Sequence, residues 1–463
     1  MTVTSIHFDL PPDVFRVGEA LRSAGGRPFL VGGWVRDALL GDTGMQDYDV
    51  EVFGIPMERL PKVLRPMGSV HAVGRHFGVL KLKTREAAYD ISVPRRESNI
   101  GKGHKAFLVE TDPSMDFDAA AARRDFTINA MGYDFFAEEL HDPWGGGEDL
   151  QNRLLRHVGP AFSEDPLRVL RALQFAGRFE MEIDPETLAL CRTLDLGDLP
   201  RERLWEEIKK LLLQAPRPSR GLIFAESLGI FPYFPELSGI AHPTSSQEGS
   251  LSGGTLPSAN LSPWEGTLAM LDHGAELRQG NEREDLVLMM AALCHRMDDF
   301  PESGGSASFL ERLTHERQML EGVAALLADL ATPGAFFASK GEISQGQIRR
   351  LALRLSLPFL VRAATAQYRV HDRGVFEAGA WLKERALALG VWDGPPEPIL
   401  KGRHLLQQGF QPGPKVGEWV RRAFEYQLDG GFDTLDGALA WIDAQLERPA
   451  GDASCAGRQG RAP

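Results

Sequence analysis

The sequence predicts an α+β protein in which a head with a small mixed sheet comes first and an all-α remainder follows. Within the first 145 residues, β-branched and aromatic runs bounded by turn residues predict strands at 29–31, 48–53, 79–84 and 89–93. From Gln151 onward, apolar residues recur at three- and four-residue spacing and predict helices at 167–179, 185–194, 201–213 and 219–228.

The length of 463 residues predicts several domains. The changes in pattern divide the chain into a head (1–145), a helical neck (146–237), a flexible linker or insertion (238–262), a helical body and tail (263–446) and a disordered tail (447–463). The stretch 242–262 is assigned to the linker because it is rich in Ser, Gly, Pro and Thr and has little to bury.

Composition narrows the class of protein. The apolar fraction of 43% and the charged fraction of 25% are typical of soluble proteins, and no run of 18 apolar residues predicts a membrane span. The first twelve residues lack a signal-peptide pattern. Three distant cysteines, Cys191, Cys294 and Cys455, argue against a disulfide framework or a zinc cluster. We therefore expect a cytoplasmic protein.

Charge gives a weaker indication about partners. The 51 basic and 64 acidic residues give a net charge of −13, which argues against a coat for nonspecific nucleic-acid binding. Basic residues nevertheless cluster, as at Arg123-Arg124 and between 201 and 220. Each cluster fits either a local binding groove or a solvated helix face.

The most informative stretch joins a glycine turn to a pair of acids. After the predicted strand at 29–31, Gly32 and Gly33 allow a turn into a helix, whose unpaired N–H groups suit an anion. Asp47 and Asp49 lie two residues apart on a predicted strand, so they share a face and can hold Mg²⁺ together. The combination indicates metal-assisted phosphoryl or nucleotidyl transfer. Each half alone also fits an ordinary turn or a solvated strand edge.

Two further segments carry chemistry. The run from Arg123 to Met131 packs arginines, a carboxylate, a hydroxyl and an amide together, which suits a nucleotide or, alternatively, a capped helix start. In the helix predicted after Ser163, Asp165, Arg168 and Arg171 follow at three-residue steps on one face. These residues fit either a surface ion-pair ladder or an edge that reads the base of C or A.

Four ordered motifs carry a family resemblance. They are Leu-Val-Gly-Gly-Trp-Val-Arg-Asp with Asp-Tyr-Asp, Arg-Arg-Asp-Phe-Thr-Ile-Asn-Ala-Met, Asp142-Pro143 with Gly145-Gly146 and Asp149-Leu150, and Glu-Asp-Pro-Leu-Arg-Val-Leu-Arg. Together they resemble the motifs of class II tRNA nucleotidyltransferases and bacterial poly(A) polymerases. The resemblance implies a head related to DNA polymerase β, a neck that carries the base-reading helix, and helical body and tail domains that bind tRNA.

The resemblance also implies roles for single residues. Asp47 and Asp49 would be the catalytic residues and the ligands of Mg²⁺, and Asp90 is a candidate third carboxylate. The nucleotide-binding residues would be Gly32, Gly33, Arg36, Arg124, Asp125, Asp165, Arg168 and Arg171. Within this set, Gly33 and Arg36 would contact the triphosphate, and Asp165 with Arg168 would read the base, supported by Arg171. The loop from Arg95 to Phe107 resembles the element that helps the switch from C to A addition.

Two departures from the family pattern limit the resemblance. Gln174 occupies a position where many relatives carry another arginine. The stretches around Gly266 and around His295-Arg296 resemble an eroded HD phosphohydrolase domain, in which relatives with a metal site have His and His-Asp at these positions. Because arginine does not ligate a cation, we expect no metal there and expect His295 to be a packed helix residue.

The resemblance implies an enzyme that adds C and A to tRNA 3′ ends from CTP and ATP with Mg²⁺ as cofactor. Its expected partners are tRNA, ATP and CTP, and neither DNA nor a membrane. The alternatives are an A-adding enzyme or poly(A) polymerase with the same head, a noncatalytic RNA-binding descendant, and an HD-type phosphohydrolase. Gly266 and Arg296 disfavour the last of these.

Overall fold

The computed structural model describes residues 2–42, 47–73, 79–99, 107–243, 261–372 and 374–446. These residues form two compact units. The first contains the described residues up to 243 together with 261–276 and 296–315, and the second contains 277–295 and 316–446. The predicted head and neck therefore lie in one unit. Most of the predicted linker, residues 100–106 of the predicted switching loop, and the predicted tail 447–463 lie outside the described residues.

The strands build one mixed eight-stranded sheet in the first unit, with the order β1-β10-β9-β2-β3-β6-β5-β4. β3 and β6 run parallel, whereas the other neighbours in this sheet are antiparallel. Two short pairs, β7 with β8 and β11 with β12, stand apart from it. The strands are β1 Thr2–Ser5, β2 Arg27–Val31, β3 Asp47–Phe53, β4 Ser69–Val73, β5 Val79–Lys83, β6 Ala88–Ser92, β7 Arg95–Asn99, β8 Phe107–Thr111, β9 Gly132–Asp134, β10 Glu139–Asp142, β11 Leu154–Leu155 and β12 Glu182–Ile183.

The other regular elements of the described chain are mainly α-helices. In chain order they are α1 Pro12–Ser23, α2 Gly33–Leu39, α3 Leu60–Leu64, α4 Phe117–Ala121, α5 Gly146–Gln151, α6 Leu167–Phe179, α7 Pro185–Cys191, α8 Arg201–Gln214, α9 Ser219–Leu222, α10 Pro235–Ala241, α11 Pro263–Glu276, α12 Glu282–Cys294, α13 Gly305–Leu313, α14 Arg317–Asp329, α15 Thr332–Ala338, α16 Gln345–Arg354, α17 Leu357–Arg369, α18 Glu377–Ala388, α19 Gly402–Gln407, α20 Pro414–Leu428 and α21 Leu435–Leu446.

Most of the strand and helix predictions agree with these bounds. The predicted strands correspond to β2, β3, β5 and β6, and the helix predicted at 167–179 is α6. Two differences stand out. The helix predicted at 219–228 ends at Leu222, and α10 continues to Ala241, so residues 238–241 of the predicted linker are helical.

The two faces of the sheet have different roles. On one face, α1 covers an apolar surface, and its Asp13 accepts a hydrogen bond from the Tyr89 hydroxyl at 2.8 Å. On the other face, Phe29 and Phe53 pack with Phe117 of α4. This second core covers only the C-terminal end of β3. Among the described residues, the side chains at the N-terminal end of β3 on that face, Asp47 and Asp49, are exposed.

One stretch of the second unit, 317–338, is long and apolar enough by length and composition to cross a membrane. This is weak evidence, because helices of soluble proteins pass the same test. The stretch is divided into two helices, α14 and α15, and Asp329 within it accepts hydrogen bonds from Arg354. We therefore describe it as a helical pair of the second unit.

Candidate active site

The glycine turn lies between β2 and α2. Gly32 has a φ of +67°, a left-handed conformation that glycine adopts without a steric penalty. A Cβ atom at this position would lie 2.8 Å from Nη1 of Arg124. Gly32 therefore permits two things at once: the turn of the backbone and the close approach of an arginine.

The side chains on one face of β3 become more exposed towards the N-terminal end of the strand. Phe53 is in the core, Glu51 is buried, and Asp49 and Asp47 are exposed at the open end of the strand. All four are on one face because successive side chains of a strand alternate. The strand therefore presents two carboxylates to solvent while its other end is fixed in the core.

A row of register partners extends from Asp49 across the sheet. Asp49 is opposite Asp90 on β6, and Asp90 is opposite Lys81 on β5. The Lys81 ammonium lies 3.0 Å from each carboxylate oxygen of Asp90. Asp90, the candidate third carboxylate, is thus next to Asp49 and is held by a lysine.

The pKa of Asp49 is raised above its ordinary value. The first cause is desolvation, because the surrounding protein restricts hydration of a side chain that still meets solvent at its outer surface. Arg124 and Lys81 lower this pKa, whereas the nearby carboxylates of Asp90 and Asp47 raise it. A cluster of carboxylates whose ionised forms are disfavoured in this way favours the binding of a cation.

Arg124 connects the glycine turn to the acids. Its Nη2 donates to Glu51 Oε2 at 3.1 Å, and its Nη1 donates to the backbone carbonyl of Asn129 at 3.4 Å. About a quarter of the Arg124 side chain is exposed. The guanidinium therefore lies over Gly32, beside the acids, where a phosphate or sugar is expected.

Arg36 lies differently from its expected role at the triphosphate. Its side chain is 4% exposed, and its guanidinium makes two hydrogen bonds to Asp37 and one to Asn129. It also lies over the rings of Phe175 and Phe179 on α6. In this structure Arg36 braces α2 against α6, and a direct phosphate contact remains only a prediction.

Asp125 and Arg171 form a buried pair beneath the site. The Arg171 Nε donates to Asp125 Oδ2 at 2.7 Å, and the other oxygen accepts from Asn129 and from the Phe126 backbone. Burial acts to raise the pKa of Asp125, but Arg171 and these hydrogen bonds hold it below its ordinary value. Both residues therefore fix the position of the Arg124 segment relative to α6.

The predicted base-reading residues lie at the start of α6 with unexpected partners. Asp165 accepts from the Leu167 backbone at 3.1 Å and from Arg203 Nη2 at 2.7 Å. Arg168 donates to the carbonyls of Ala161 and Arg123, at 2.6 and 2.8 Å. Both side chains are half-buried. The Arg168 contact attaches this helix start to the segment that carries Arg124.

Comparison with known proteins shows which families parts of this chain resemble. Residues 28–156 match the model of the poly(A) polymerase head domain, and residues 180–240 match a probable RNA- and SrmB-binding site of polymerase A. A Stenotrophomonas maltophilia relative named multifunctional CCA protein is 42% identical over 223 residues, which is 46% of this chain and 52% of that protein. A Paracidovorax citrulli relative of the same name is 44% identical over 201 residues, which is 42% of this chain and 46% of that protein.

The chain is therefore similar, over residues 28–156 and 180–240, to the class II tRNA nucleotidyltransferase and poly(A) polymerase family. The matched part spans about half the length of these curated relatives. The head-domain match, residues 28–156, contains the glycine turn, the acids and the Arg124 segment.

Solved structures show that the fold extends beyond the matched part. The Bacillus stearothermophilus CCA-adding enzyme in complex with CTP aligns with a TM-score of 0.67 at 20% identity, covering 94% of this chain and 98% of that one. The Thermotoga maritima CCA-adding enzyme complexed with tRNA aligns with a TM-score of 0.59 at 20% identity, covering 95% and 97%. At this identity the likeness shows the fold, a mixed-sheet head followed by helices.

The donor set fits a family metal of the Mg²⁺ type. In the part of the chain that the structure describes, no group of three or more His, Cys, Asp or Glu side chains is arranged to hold a metal ion. Mg²⁺ does not require such a cage, because it keeps several waters and binds one or two carboxylates together with substrate phosphates. The exposed pair of Asp47 and Asp49 suits that mode.

The structure shows the surroundings of the positions that depart from the HD pattern, Gly266 and His295-Arg296. A Cβ added at Gly266 would meet open space. The His295 ring lies 2.9 Å from the carbonyl oxygen of Ala292, and Arg296 donates to Asp299. Gln174, the other departure from the family, is 1% exposed, and its Nε2 has no hydrogen-bond partner among the described residues.

Sequence reasoning missed several residues that build the site. Glu51 anchors Arg124, Asn129 joins Arg36 to Asp125, and Arg203 holds Asp165. The alternation of β3 pointed to Glu51, since it shares the face of Asp47 and Asp49. Arg203 carries no local signal, because its partner lies 38 residues away.

Proposed function

We propose that the chain adds C and A to the 3′ end of tRNA, consuming CTP and ATP and releasing pyrophosphate. One observation carries the proposal. The Arg123-Arg124 segment lies beside the acids through Arg124 and Glu51, and it contacts the start of α6 through the Arg123 carbonyl and Arg168. In this proposal, the triphosphate end and the base-reading end belong to one continuous site.

The proposed roles follow from position. Asp47 and Asp49 hold the divalent ions, for which we propose Mg²⁺, and Arg124 with the Gly32-Gly33 turn receives the triphosphate. When bound, such ions activate the attacking hydroxyl and neutralise charge on the leaving pyrophosphate. Glu51 fixes the guanidinium of Arg124, so the positive group is in place before the nucleotide arrives.

Base selection is assigned to Asp165 and Arg168. A carboxylate accepts from an exocyclic amine, and a guanidinium donates to ring acceptors, a combination that cytosine and adenine match and that uracil and guanine do not. Asp165 is held by Arg203 in this structure, so reading a base requires Asp165 to share or exchange that partner. Asp125 and Arg171 hold the two halves of the site together from below.

The test uses three tRNA substrates that end before CCA, after C and after CC, each incubated with a single labelled nucleotide and Mg²⁺. We expect CTP to extend the first two and ATP the third. Use of ATP alone would instead identify an A-adding enzyme, the adenylating alternative. No incorporation on any substrate, with RNA binding retained, would identify a noncatalytic descendant.

The control for this assay is Asp47→Ala, which should abolish incorporation without loss of folding. Incorporation by this variant at the rate of the unaltered protein would overturn the assigned catalytic role. We also propose a cytoplasmic location, where tRNA, CTP and ATP meet. Expression of a fluorescent fusion followed by cell fractionation tests it.

A further inference from the structure

The open face of the sheet continues past the acids into a basic strip. We define the β4–β5 strip as His71 on β4 with Lys81 and Lys83 on β5, all three of which are exposed. The alternate residues of β5, Leu80 and Leu82, are buried on the opposite face. The strip is therefore on the same side of the sheet as Asp47 and Asp49.

Register places the strip in line with the acids. Asp49 is opposite Asp90, Asp90 is opposite Lys81, and Lys81 is opposite His71. The neighbouring row begins at Asp47 and reaches Lys83 through Ala88. Because neighbouring strands are about 4.8 Å apart, Lys81 lies roughly 10 Å from Asp49 across the sheet. That distance places the strip beside the acids.

The sheet order puts the strip and the glycine turn on opposite flanks. β2, which leads into the turn, borders β3 on one side, whereas β6, β5 and β4 follow on the other. Arg124 lies on the flank of the turn. In phosphoryl transfer the attacking and leaving oxygens are roughly in line. With the leaving pyrophosphate at the turn, the attacking hydroxyl approaches from the flank of the strip.

We propose that the β4–β5 strip binds the backbone phosphates of the last nucleotides of the RNA that is being extended. The inference rests on the proposed function and adds the place where the growing strand lies. Positive side chains that follow a nucleic-acid backbone give binding that does not depend on sequence, as is needed when each addition changes the terminal nucleotide.

Lys81 has a second contact that shapes the test. Its ammonium has three N–H donors, and Asp90 accepts through two oxygens while more than half of the lysine side chain stays exposed. Lys81 thus has capacity for a phosphate, but its removal also releases a carboxylate next to Asp49. Lys83→Ala is the cleaner single variant, and Lys81→Ala/Lys83→Ala measures the whole strip.

The first measurement is equilibrium binding of a short fluorescent RNA hairpin ending in CC, titrated at several salt concentrations. We expect the double variant to bind more weakly, with about a tenfold rise in Kd. The dependence of log K on log salt should become shallower by roughly 0.7 for each phosphate that is no longer neutralised by a lysine. The matched control is Arg59→Ala/Lys62→Ala, which removes two exposed positive charges from the same head, at and beside α3.

The second measurement is steady-state incorporation. For Lys83→Ala we expect the KM for RNA to rise several-fold while the KM for the nucleotide changes less than twofold. An unchanged hairpin Kd and salt slope in the double variant, or an equal weakening in the control, overturns the inference even if the enzyme adds nucleotides normally. Conversely, weakened RNA binding without any incorporation by the unaltered protein supports the strip and rejects the proposed function.

Discussion

Asp165, at the start of the helix assigned to base reading, accepts a 2.7 Å hydrogen bond from Arg203 on α8. This pair joins two segments of the first unit that are far apart in sequence. Arg203 donates to the Asp165 carboxylate, and Arg168 donates to two backbone carbonyls. The free site therefore holds its proposed acceptor in a charge-assisted bond before any base arrives.

Arg203→Gln should reduce the selectivity for C and A. The substitution removes the charged donor that orients Asp165, and a hydrogen bond to a charged group contributes roughly 1.5–3 kcal/mol, so discrimination should fall about tenfold or more. The measurement is the ratio of kcat/KM for CTP to that for UTP on a tRNA lacking CCA.

The matched control for that prediction is Arg201→Gln, which removes an arginine from the first turn of the same helix. We expect its nucleotide ratio to equal that of the unaltered enzyme. An Arg203→Gln enzyme with unaltered selectivity but a lower melting temperature would show that the pair acts only in stability.

Gly32→Ala should impair nucleotide binding more than folding. Both Gly32, with φ +67° and ψ −127°, and Gly41, with φ +90°, have a positive φ that strains an alanine. Only at Gly32 of these two would the new Cβ meet Arg124, at 2.8 Å, whereas at Gly41 it would meet open space. We expect a similar decrease of melting temperature in both variants and an increase of about tenfold in the KM for CTP in Gly32→Ala alone.

Equal KM values in the two glycine variants would contradict that account. They would mean that the clash with the guanidinium is relieved without a change in its position, so that Arg124 does not define the triphosphate end. The comparison separates the two effects because backbone strain is common to both variants.

Local pattern predicted much of the fold and of the site. The alternation of Asp47, Asp49 and Glu51 with apolar residues predicted β3 and the face of the acids, and three-residue spacing predicted α6 with its true bounds. These features depend on residues that are close together in the sequence, so the sequence alone predicts them. The family motifs then supplied the roles that geometry alone left open.

The sequence did not predict in the same way which partner each charged residue contacts. The sequence places Arg36, Arg168 and Arg171 equally well on a solvated surface or at a ligand. In the structure Arg36 is buried against Asp37 and two phenylalanines, and Arg171 is paired with Asp125. Arg171 and Asp125 are 46 residues apart, and Arg36 also donates to Asn129, 93 residues away, so no local pattern records these two contacts.

Asp49→Asn should abolish incorporation without destabilising the protein. Loss of a metal-binding carboxylate removes several kcal/mol of transition-state stabilisation, which corresponds to a rate decrease of roughly a thousandfold. The raised pKa means that the fold disfavours ionised Asp49, and its neighbours Asp90 and Asp47 contribute to this. The amide removes that repulsion, so the melting temperature measured without metal should stay equal or rise.

For Asp49→Asn the control is Asp9→Asn, an exposed aspartate of the head, which should retain both rate and melting temperature. A large fall in melting temperature for Asp49→Asn would indicate a structural carboxylate. Addition of Mg²⁺ should raise the melting temperature of the unaltered protein more than that of the variant, because an ion that binds only the folded state stabilises it.

Asp125→Asn should destabilise the first unit in a pH-dependent manner. The substitution removes the charge of the nearest carboxylate partner of Arg171, while Glu207 remains 3.7 Å away, so we expect a loss of roughly 1.5–3 kcal/mol. The pKa of Asp125 is lowered from 3.8 in the folded state. Its ionised form therefore stabilises the fold fully above the unfolded value, and this contribution disappears as the pH falls through the lowered pKa.

The difference in unfolding free energy between the unaltered protein and Asp125→Asn should consequently be largest above about pH 5 and shrink below about pH 4. Urea unfolding at a series of pH values, followed by tryptophan fluorescence, measures it. Asp198→Asn, an exposed aspartate of the neck, should show no such difference at any pH. A gap for Asp125→Asn that stays constant down to about pH 3 would mean that Asp125 acts through the shape of its hydrogen bonds and that its charge is not required.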